Sequence, residues 1–214
     1  MALTIYGAAR TRTSRVLWMA EELGLAYRHE QLVPQKGETR TPAFLALNPM
    51  GRVPAIDDDG LIVWESLAIN LHLARKYGAA GSDDRPALGP RDLGEDALMT
   101  QWTLWTATEL EPGAHDVVVQ TINLPEAQRD PAKRDLALAG LARALGALDT
   151  ALAQGGGHLV GGRFTVADLN AACAAFYLRA APDALAAYPK VADWYTAATA
   201  RPAFLRMIAM REAG

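Results

Sequence analysis

The sequence predicts a two-domain protein, with a mixed α/β domain followed by an all-helical domain. Short apolar runs of strand type occur in the first third of the chain, at residues 3–6, 27–33, 53–56 and 61–64. Further along, alanine and leucine dominate, which favours helices. Glycine, proline and charged residues interrupt the two patterns at residues 78–92. We therefore expect a first domain at residues 1–80, a linker at 81–91 and a second domain at 92–214.

The N-terminal elements are predicted in the order strand, helix, strand, then strand, strand, helix. The first helix carries apolar residues at helical spacing until Gly24 ends it, namely Val16, Met19, Ala20 and Leu23. The charged turn at residues 57–60 connects two strands as a hairpin. Another helix begins at Ser66 and ends at Gly78.

In the second domain, the clearest helix begins at Asp130 and Pro131, a capping residue followed by a first-turn proline. Its leucines recur every three or four residues and predict a stripe that faces a bundle core: Leu138, Leu141, Leu145, Leu148 and Leu152. A later helix follows Thr165, whose hydroxyl and the carboxylate of Asp168 form a variant of the capping box. We assign this box to folding, and the lone Cys173 on the same helix to the core.

Composition and charge restrict the function classes. The net charge of -3 and the lack of a long lysine and arginine block argue against nucleic acid or an anionic membrane as the main partner. The N-terminus has no targeting pattern and no apolar segment approaches membrane-spanning length, so we expect a cytoplasmic protein. A single cysteine excludes an internal disulfide, and four scattered histidines predict no metal site. A small-molecule ligand is the remaining partner class.

Residues 48–56 predict a site that recognises a ligand through the backbone. Pro54 follows Val53 at the start of a strand, and proline donates no hydrogen bond, so the backbone groups of Val53 are left free for a ligand. If the bond between these residues is cis, both groups of Val53 can pair with an extended peptide. The simpler alternative is a proline at the edge of a sheet.

The junction of a strand and a helix at Glu65 and Ser66 predicts a second binding feature. Ser66 is expected to be the N-cap, where the hydroxyl and the free N–H groups of the helix suit a carboxylate. Glu65 suits an ammonium group instead. The zwitterionic end of an amino acid satisfies both residues. The alternative is that Ser66 only caps its own helix.

Taken together, Val53-Pro54 and Glu65-Ser66 resemble the glutathione site of the glutathione transferases, in particular the bacterial cytosolic members of that superfamily. The resemblance spans nearly the whole chain and includes Tyr6-Gly7, Arg15-Val16-Leu17-Trp18, Asn48-Pro49-x-Gly51 and Thr165-Val166-Ala167-Asp168. It implies a thioredoxin-like N-terminal domain of βαβ-ββα order, a helical bundle domain that holds the second substrate, and a homodimer.

The resemblance also implies how glutathione is held. The tripeptide lies along Val53 with its γ-glutamyl carboxylate on Ser66 and its ammonium group near Glu65. The glycine carboxylate needs a basic partner, for which Arg52 is the first choice and Lys36 and Arg40 are alternatives.

The catalytic task that the resemblance implies is to ionise the glutathione thiol, whose ordinary pKa is about 8.5. In the family a hydroxyl in the loop after the first strand stabilises the thiolate. Related bacterial sequences of the form Ser-Arg-x-Ser-Arg-Val place Thr11 at the serine, so Thr11 is the expected donor. Ser14 is the second candidate, and Thr13 or Ser14 is alternatively the N-cap of the first helix.

A second-substrate pocket is expected from Trp102, Trp105 and Glu109, which follow one another at helical spacing, with Arg12 at its border. The expected activity is attack of the thiolate on a small hydrophobic electrophile, in detoxification, without a metal or another cofactor. The alternatives are a glutathione-dependent disulfide reductase or peroxidase, and a non-catalytic protein that binds glutathione or another ligand.

Overall fold

The computed structural model describes residues 2–79, 81 and 87–213. The chain forms two compact units, Met1–Pro90 together with Ala200–Gly214, and Arg91–Thr199. The final helix therefore belongs to the first unit, whereas the sequence analysis assigned it to the second domain. The expected linker at 81–91 is only partly described, since residues 82–86 lie outside the described residues.

Among the described residues, strands and helices are mixed up to Tyr77, and only helices follow from Leu93 onward. In order they are β1 Leu3–Tyr6, α1 Thr13–Leu23, β2 Tyr27–Glu30, α2 Pro42–Leu47, β3 Ala55–Asp58, β4 Leu61–Trp64, α3 Ser66–Tyr77, α4 Leu93–Trp105, α5 Glu111–Val118, α6 Pro131–Gln154, α7 Val166–Ala175, α8 Pro189–Thr199 and α9 Pro202–Ala213. The predicted βαβ-ββα order is confirmed. Helix α2 was not predicted, although Thr41 caps it by accepting a hydrogen bond from the Phe44 amide.

The sheet has the strand order β2-β1-β3-β4. Strand β1 is parallel to β2 and antiparallel to β3, which in turn is antiparallel to β4. In this register Ala55 lies opposite both Tyr6 and Trp64. The end of β1, the start of β3 and the end of β4 therefore meet at one edge of the sheet.

Helix α1 is buried on nearly all sides, because α3 and α9 both pack against it. The predicted apolar stripe accounts for Val16 and Met19, but Leu17 and Trp18 are also fully buried. The ring of Trp18 meets Phe204 of α9 edge on, with 4.9 Å between centroids. The indole and phenyl groups thus form the apolar contact between the two helices.

Two ion pairs add to the packing of α9 on α1. The guanidinium of Arg201 donates to both carboxylate oxygens of Glu22, at 2.6 and 2.7 Å, and Glu22 is 9% exposed. Arg206 donates to a carboxylate oxygen of Glu21 at 2.6 Å. Removing one partner of such a buried pair leaves an uncompensated charge, which typically costs about 3–5 kcal/mol.

In the second unit, the predicted leucine stripe of α6 is largely confirmed. Leu141, Leu145, Leu148 and Leu152 are buried, and the side chain of Asp130 caps the helix by accepting from the amides of Ala132 and Lys133. Leu138 is half-buried.

By length and composition, α6 also satisfies the criterion for a membrane span, with a mean hydropathy of 1.4. The expectation that no segment approaches that length is therefore wrong. Since α6 packs on α5 and α8, its apolar face is part of the core of this unit.

The predicted capping box at Thr165 and Asp168 is present. The buried Asp168 carboxylate accepts hydrogen bonds from the Thr165 amide at 2.9 Å, the Leu159 amide at 3.1 Å and the Trp194 indole at 3.0 Å. This carboxylate joins the start of α7 to the preceding loop and to α8. Cys173, on the same helix, is buried as predicted.

A second carboxylate cluster connects the starts of α4 and α7. Arg163 donates to both carboxylate oxygens of Glu95, at 2.8 and 2.7 Å, and both side chains are mostly buried. Glu95 also accepts from the Arg91 amide, while Asp92 caps α4 by accepting from the Glu95 amide. The guanidinium lowers the pKa of Glu95 to about 2.

Gly7 allows three segments to approach one another at the site edge, by which we mean the edge of the sheet where β1 and β4 end and β3 begins. Its φ angle is 129°, in a region that side chains disfavour. A Cβ at this position would lie 2.1 Å from the Thr13 hydroxyl and 2.7 Å from Cβ of Val53. The loop after β1, the start of α1 and the residue before Pro54 are therefore in contact only because residue 7 has no side chain.

The ionised Glu95 predicts a specific pH dependence of stability. Because its pKa is lowered in the folded state, its contribution is complete above about pH 4.5 and is lost as the pH falls toward 2. We expect Glu95→Gln to lower the free energy of unfolding by about 2 kcal/mol at pH 7. In urea unfolding, the difference between wild type and variant should shrink below pH 4.5, and a difference that is constant with pH would contradict this role.

Replacement of Gly7 should test the close approach at the site edge. We expect Gly7→Ala to lower the free energy of unfolding by about 3 kcal/mol or more, since the methyl group clashes and the φ angle is strained. Gly60→Ala serves as the control, because Gly60 has a φ angle of 91° but open space around its missing Cβ. If urea unfolding gives equal losses of unfolding free energy for the two variants, the positive φ angle alone, and not the clash with Thr13 and Val53, would account for the loss at Gly7.

Candidate functional site

The edge where β1, β3 and β4 meet carries the residues that the sequence singled out. Ala55 at the start of β3 pairs with Trp64 at the end of β4, so Val53-Pro54 and Glu65-Ser66 adjoin the same end of this strand pair. Gly7 brings the loop after β1 against Val53. The two motifs and the predicted thiol loop are therefore neighbours in space.

The backbone of Val53 is presented as a strand without a partner. The Val53–Pro54 bond is cis, and β3 begins only at Ala55. Within the described part of the chain, neither the N–H nor the C=O of Val53 has a hydrogen-bond partner, and the residue is half-exposed. An extended peptide can add to such a segment through main-chain hydrogen bonds.

The turn before Val53 is fixed by Asn48, which is 2% exposed. Its side-chain amide donates to the Arg52 carbonyl at 2.7 Å, and its side-chain oxygen accepts from the Met50 amide at 3.0 Å. Because both bonds join its buried side chain to neighbouring backbone groups, Asn48 positions the backbone around Arg52.

Glu65, and not Ser66, is the N-cap of α3, so this part of the prediction is wrong. Glu65 is exposed and has a φ angle of 73°, which costs about 1–3 kcal/mol for a residue with a side chain. Ser66 is the first helical residue and is 4% exposed. Since N–H groups of the first turn have no acceptor within a helix, α3 itself leaves the Ser66 amide available to a ligand.

A buried arginine lies beneath Ser66 and was not predicted as a site residue. Arg15 is 4% exposed, and its guanidinium donates to the Ser66 hydroxyl at 3.4 Å. The Asn70 side-chain amide donates to the Arg15 carbonyl at 3.4 Å. The guanidinium adds positive charge to the N-terminal end of α3, which favours an anion there. The only signal for it in the sequence is a charged residue next to the apolar run Val16-Leu17-Trp18.

The hydroxyl of Thr11 organises the loop between β1 and α1. It donates to the Ala8 carbonyl at 2.7 Å, accepts from the Thr13 amide at 3.2 Å and lies 2.9 Å from the Thr13 hydroxyl. The N-cap of α1 is Arg12, which makes no capping bond with its side chain. The alternative that Thr13 or Ser14 is the N-cap is therefore wrong.

The three loop hydroxyls differ in how accessible they are. Thr13 is fully buried, whereas Thr11 and Ser14 are half-buried. The Ser14 hydroxyl donates to the Thr11 carbonyl at 3.0 Å and accepts from Arg211 at 3.2 Å. Of the three hydroxyls, that of Thr11 is thus partly accessible to a ligand and makes no hydrogen bond to a charged side chain.

Tyr6, just before this loop, has a different environment. Burial raises its pKa, and the carboxylates of Asp57 and Glu30 raise it further. Its ring meets Phe44 edge on at 6.4 Å. The phenol therefore stays protonated at neutral pH.

The basic candidates lie around the turn before Val53. Arg52 is exposed, and Arg40, also exposed, donates to the Met50 carbonyl at 3.5 Å. A Cβ on Gly51 would lie 2.7 Å from the Arg40 guanidinium. Arg40 and Arg52 therefore border the same turn, while Lys36 lies on a separate short turn at Pro34–Lys36.

The expected second-substrate residues are distributed over both units. In the first unit Arg12 is exposed at the start of α1. In the second, Trp102 and Trp105 are half-buried and meet edge on at 5.0 Å. Glu109 lies in a π-helical stretch and forms an ion pair with Arg143 of α6, so its carboxylate already has a partner.

Comparisons with known proteins agree with the family resemblance found in the sequence. Residues 1–75 match the family model of the glutathione S-transferase N-terminal domain, and residues 130–197 match that of the C-terminal domain. Glutathione S-transferase 3 of Zea mays is 32% identical over 213 residues, covering 97% of this chain and 93% of the relative.

Two solved structures are similar over nearly their whole length. Glutathione transferase F7 from Populus trichocarpa has a TM-score of 0.86 and 28% identity, covering 98% of this chain and 99% of that one. The glutathione transferase URE2P6 from Phanerochaete chrysosporium, in complex with oxidized glutathione, has a TM-score of 0.82 and 27% identity, with coverages of 99% and 96%. These relatives come from plants and a fungus, whereas the sequence resemblance was to bacterial members. The chain belongs to the glutathione S-transferase family.

Proposed function

We propose that this glutathione transferase binds glutathione along Val53 and activates its thiol for attack on a small hydrophobic electrophile. One observation carries the proposal: an unpaired backbone segment, a helix N-terminus backed by a buried arginine and a loop hydroxyl lie at one edge of the sheet. Backbone, anion and thiol recognition are the three requirements of a site for this tripeptide.

The γ-glutamyl end is assigned to α3. Its carboxylate accepts from the Ser66 amide and hydroxyl, above the Arg15 guanidinium, and its ammonium group pairs with the exposed Glu65 carboxylate. The cysteinyl residue pairs with both backbone groups of Val53 beside Pro54. Arg52 remains the first choice for the glycine carboxylate, and Arg40 on the same turn is the alternative with geometric support.

The thiol is assigned to Thr11. Its hydroxyl donates to the Ala8 carbonyl, so the hydroxyl hydrogen must turn about the Cβ–Oγ1 bond before it can donate to sulfur. Lowering the thiol pKa by about two units requires roughly 2.7 kcal/mol, which one charge-assisted hydrogen bond and nearby helix-terminal amides can supply. The thiolate then attacks an electrophilic carbon, a carbon–sulfur bond forms, and the leaving group departs with its bonding electron pair.

One alternative has an observation in its favour. A non-catalytic glutathione-binding protein would need the Val53 and Ser66 features but not a free loop hydroxyl. The Thr11 to Ala8 hydrogen bond of 2.7 Å is the arrangement expected of such a protein. The pKa of bound thiol separates the two functions.

The remaining assignments follow from the family and from composition. The half-buried Trp102 and Trp105 are proposed to contact an apolar second substrate, and Glu109 is confined to its ion pair. No metal or cofactor other than the co-substrate glutathione is invoked. We also assign a cytoplasmic location and a role in detoxification, without nucleic acid or a membrane as partner.

A homodimer is proposed from α4. Leu93, Ala97 and Leu104 are exposed at spacings that place them on one helical face, and Leu93 is 87% exposed. Exposed apolar surface of this kind is typical of an interaction site.

Variants of Thr11 and Ser66 test the glutathione site. We expect Ser66→Ala to weaken glutathione binding at least tenfold in calorimetry, since the carboxylate loses a hydrogen bond in a buried position. Thr11→Ala should retain binding but raise the pKa of the bound thiol by about one to two units, measured by thiolate absorbance against pH.

Thr11→Ser is the matched control, because it keeps the hydroxyl, and it should keep a lowered thiol pKa. An ordinary thiol pKa in wild-type protein would establish the non-catalytic alternative. No binding of glutathione to wild type would rule out the proposed function.

Substitution on the exposed face of α4 tests the homodimer. We expect Leu104→Glu to shift the wild-type dimer toward monomer in sedimentation equilibrium, because a charge would be buried at the interface. Leu136→Glu on α6 is the control, since Leu136 is 75% exposed on a different helix. A monomeric wild type would refute the assignment outright, and dissociation by both variants alike would refute the α4 interface.

A further inference from the structure

The C-terminal helix α9 reaches the loop that carries Thr11. The guanidinium of Arg211 donates to the Ala9 carbonyl at 3.2 Å and to the Ser14 hydroxyl at 3.2 Å. Ser14 in turn donates to the Thr11 carbonyl at 3.0 Å. A continuous chain of hydrogen bonds therefore runs from Arg211 to the backbone of Thr11.

The contact is reciprocal. Arg10, in the same loop, donates through its guanidinium to the Arg211 carbonyl at 2.9 Å and to the Glu212 carbonyl at 3.4 Å. Carbonyl groups in the last turn of a helix have no partner within the helix, so Arg10 caps the C-terminal end of α9. Each segment thus supplies an arginine to the backbone of the other.

The position of α9 is set independently of the loop. Arg201 pairs with the buried Glu22, and Arg206 pairs with Glu21, both on α1. Arg206 lies five residues and Arg201 ten residues before Arg211. The helix that carries the Arg211 guanidinium is therefore held on α1 by contacts other than those with the loop.

We propose that Arg211 is a positioning residue for the thiol donor. By holding the Ala9 carbonyl and the Ser14 hydroxyl, it fixes the loop so that Thr11 can reach the sulfur once its hydroxyl leaves the Ala8 carbonyl. The role assigned to Arg211 is to hold the loop, and not to contact the sulfur. The proposal rests on the proposed function, since the effect is exerted on the thiol that Thr11 contacts.

The test compares Arg211→Ala, Arg211→Lys and the matched control Arg206→Ala, which removes an ion pair from the same helix without touching the loop. Two readouts are measured: hydrogen exchange of the Thr11 and Ser14 amides without glutathione, and the pKa of the bound thiol. In Arg211→Ala we expect exchange about tenfold faster and a thiol pKa higher by about 0.5 to 1 unit, which lowers the thiolate fraction at pH 6.5 about twofold to fivefold.

The affinity of Arg211→Ala for glutathione should stay within twofold of wild type, because Val53 and Ser66 are untouched. Arg211→Lys, which keeps a charge and a donor, should recover part of both effects. Values in Arg211→Ala equal to those in Arg206→Ala would overturn the proposal, as would an unchanged thiol pKa despite faster exchange. If wild type failed to bind glutathione, the proposed function would fall, and the exchange measurement alone would decide whether Arg211 holds the loop.

Discussion

The register of β3 between β1 and β4 is the constraint on which the site depends. Ala55 lies opposite Tyr6 on one side and Trp64 on the other, so β1 and β4 end, and β3 begins, at the same edge. Slipping one strand by one residue would turn every side chain on it to the opposite face and separate the motifs. The close contact of Gly7 with Val53 and Thr13 depends on this alignment.

Helix α9 extends the same unit with residues from the far end of the chain. Arg201, just before the helix, and Arg206 and Arg211 within it engage Glu22, Glu21 and the loop after β1 in turn. Charge-assisted contacts at three points along one helix, together with the Phe204 contact to Trp18, give α9 a defined position. The second unit instead relies on the buried carboxylates of Asp168 and Glu95, which join the beginnings of its helices.

Features with a local cause could be predicted from the sequence. The element order, the hairpin, the Asp130 cap, the Thr165 capping box and the unusual backbone at Val53 and Pro54 each depend on residues within a few positions of one another. By contrast, Ser66 was expected to be a cap because serine commonly is one, whereas the positive φ angle of Glu65 moves the cap back by one residue. The partners of Arg15 and Arg211 are 51 and 197 residues away, and helical periodicity carries no information on such contacts. For the same reason the sequence placed α9 in the wrong unit.

A buried tryptophan in each unit donates its indole N–H to a buried carboxylate. Trp18 donates to Glu22 in the first unit, and Trp194 donates to Asp168 in the second. Indole emission responds to burial and to a nearby charge, and both surroundings disappear when the respective unit unfolds. A protein in which only Trp18, or only Trp194, is kept of the five tryptophans therefore carries an optical reporter for a single unit. The two proteins together would reveal whether the two units melt together or one after the other.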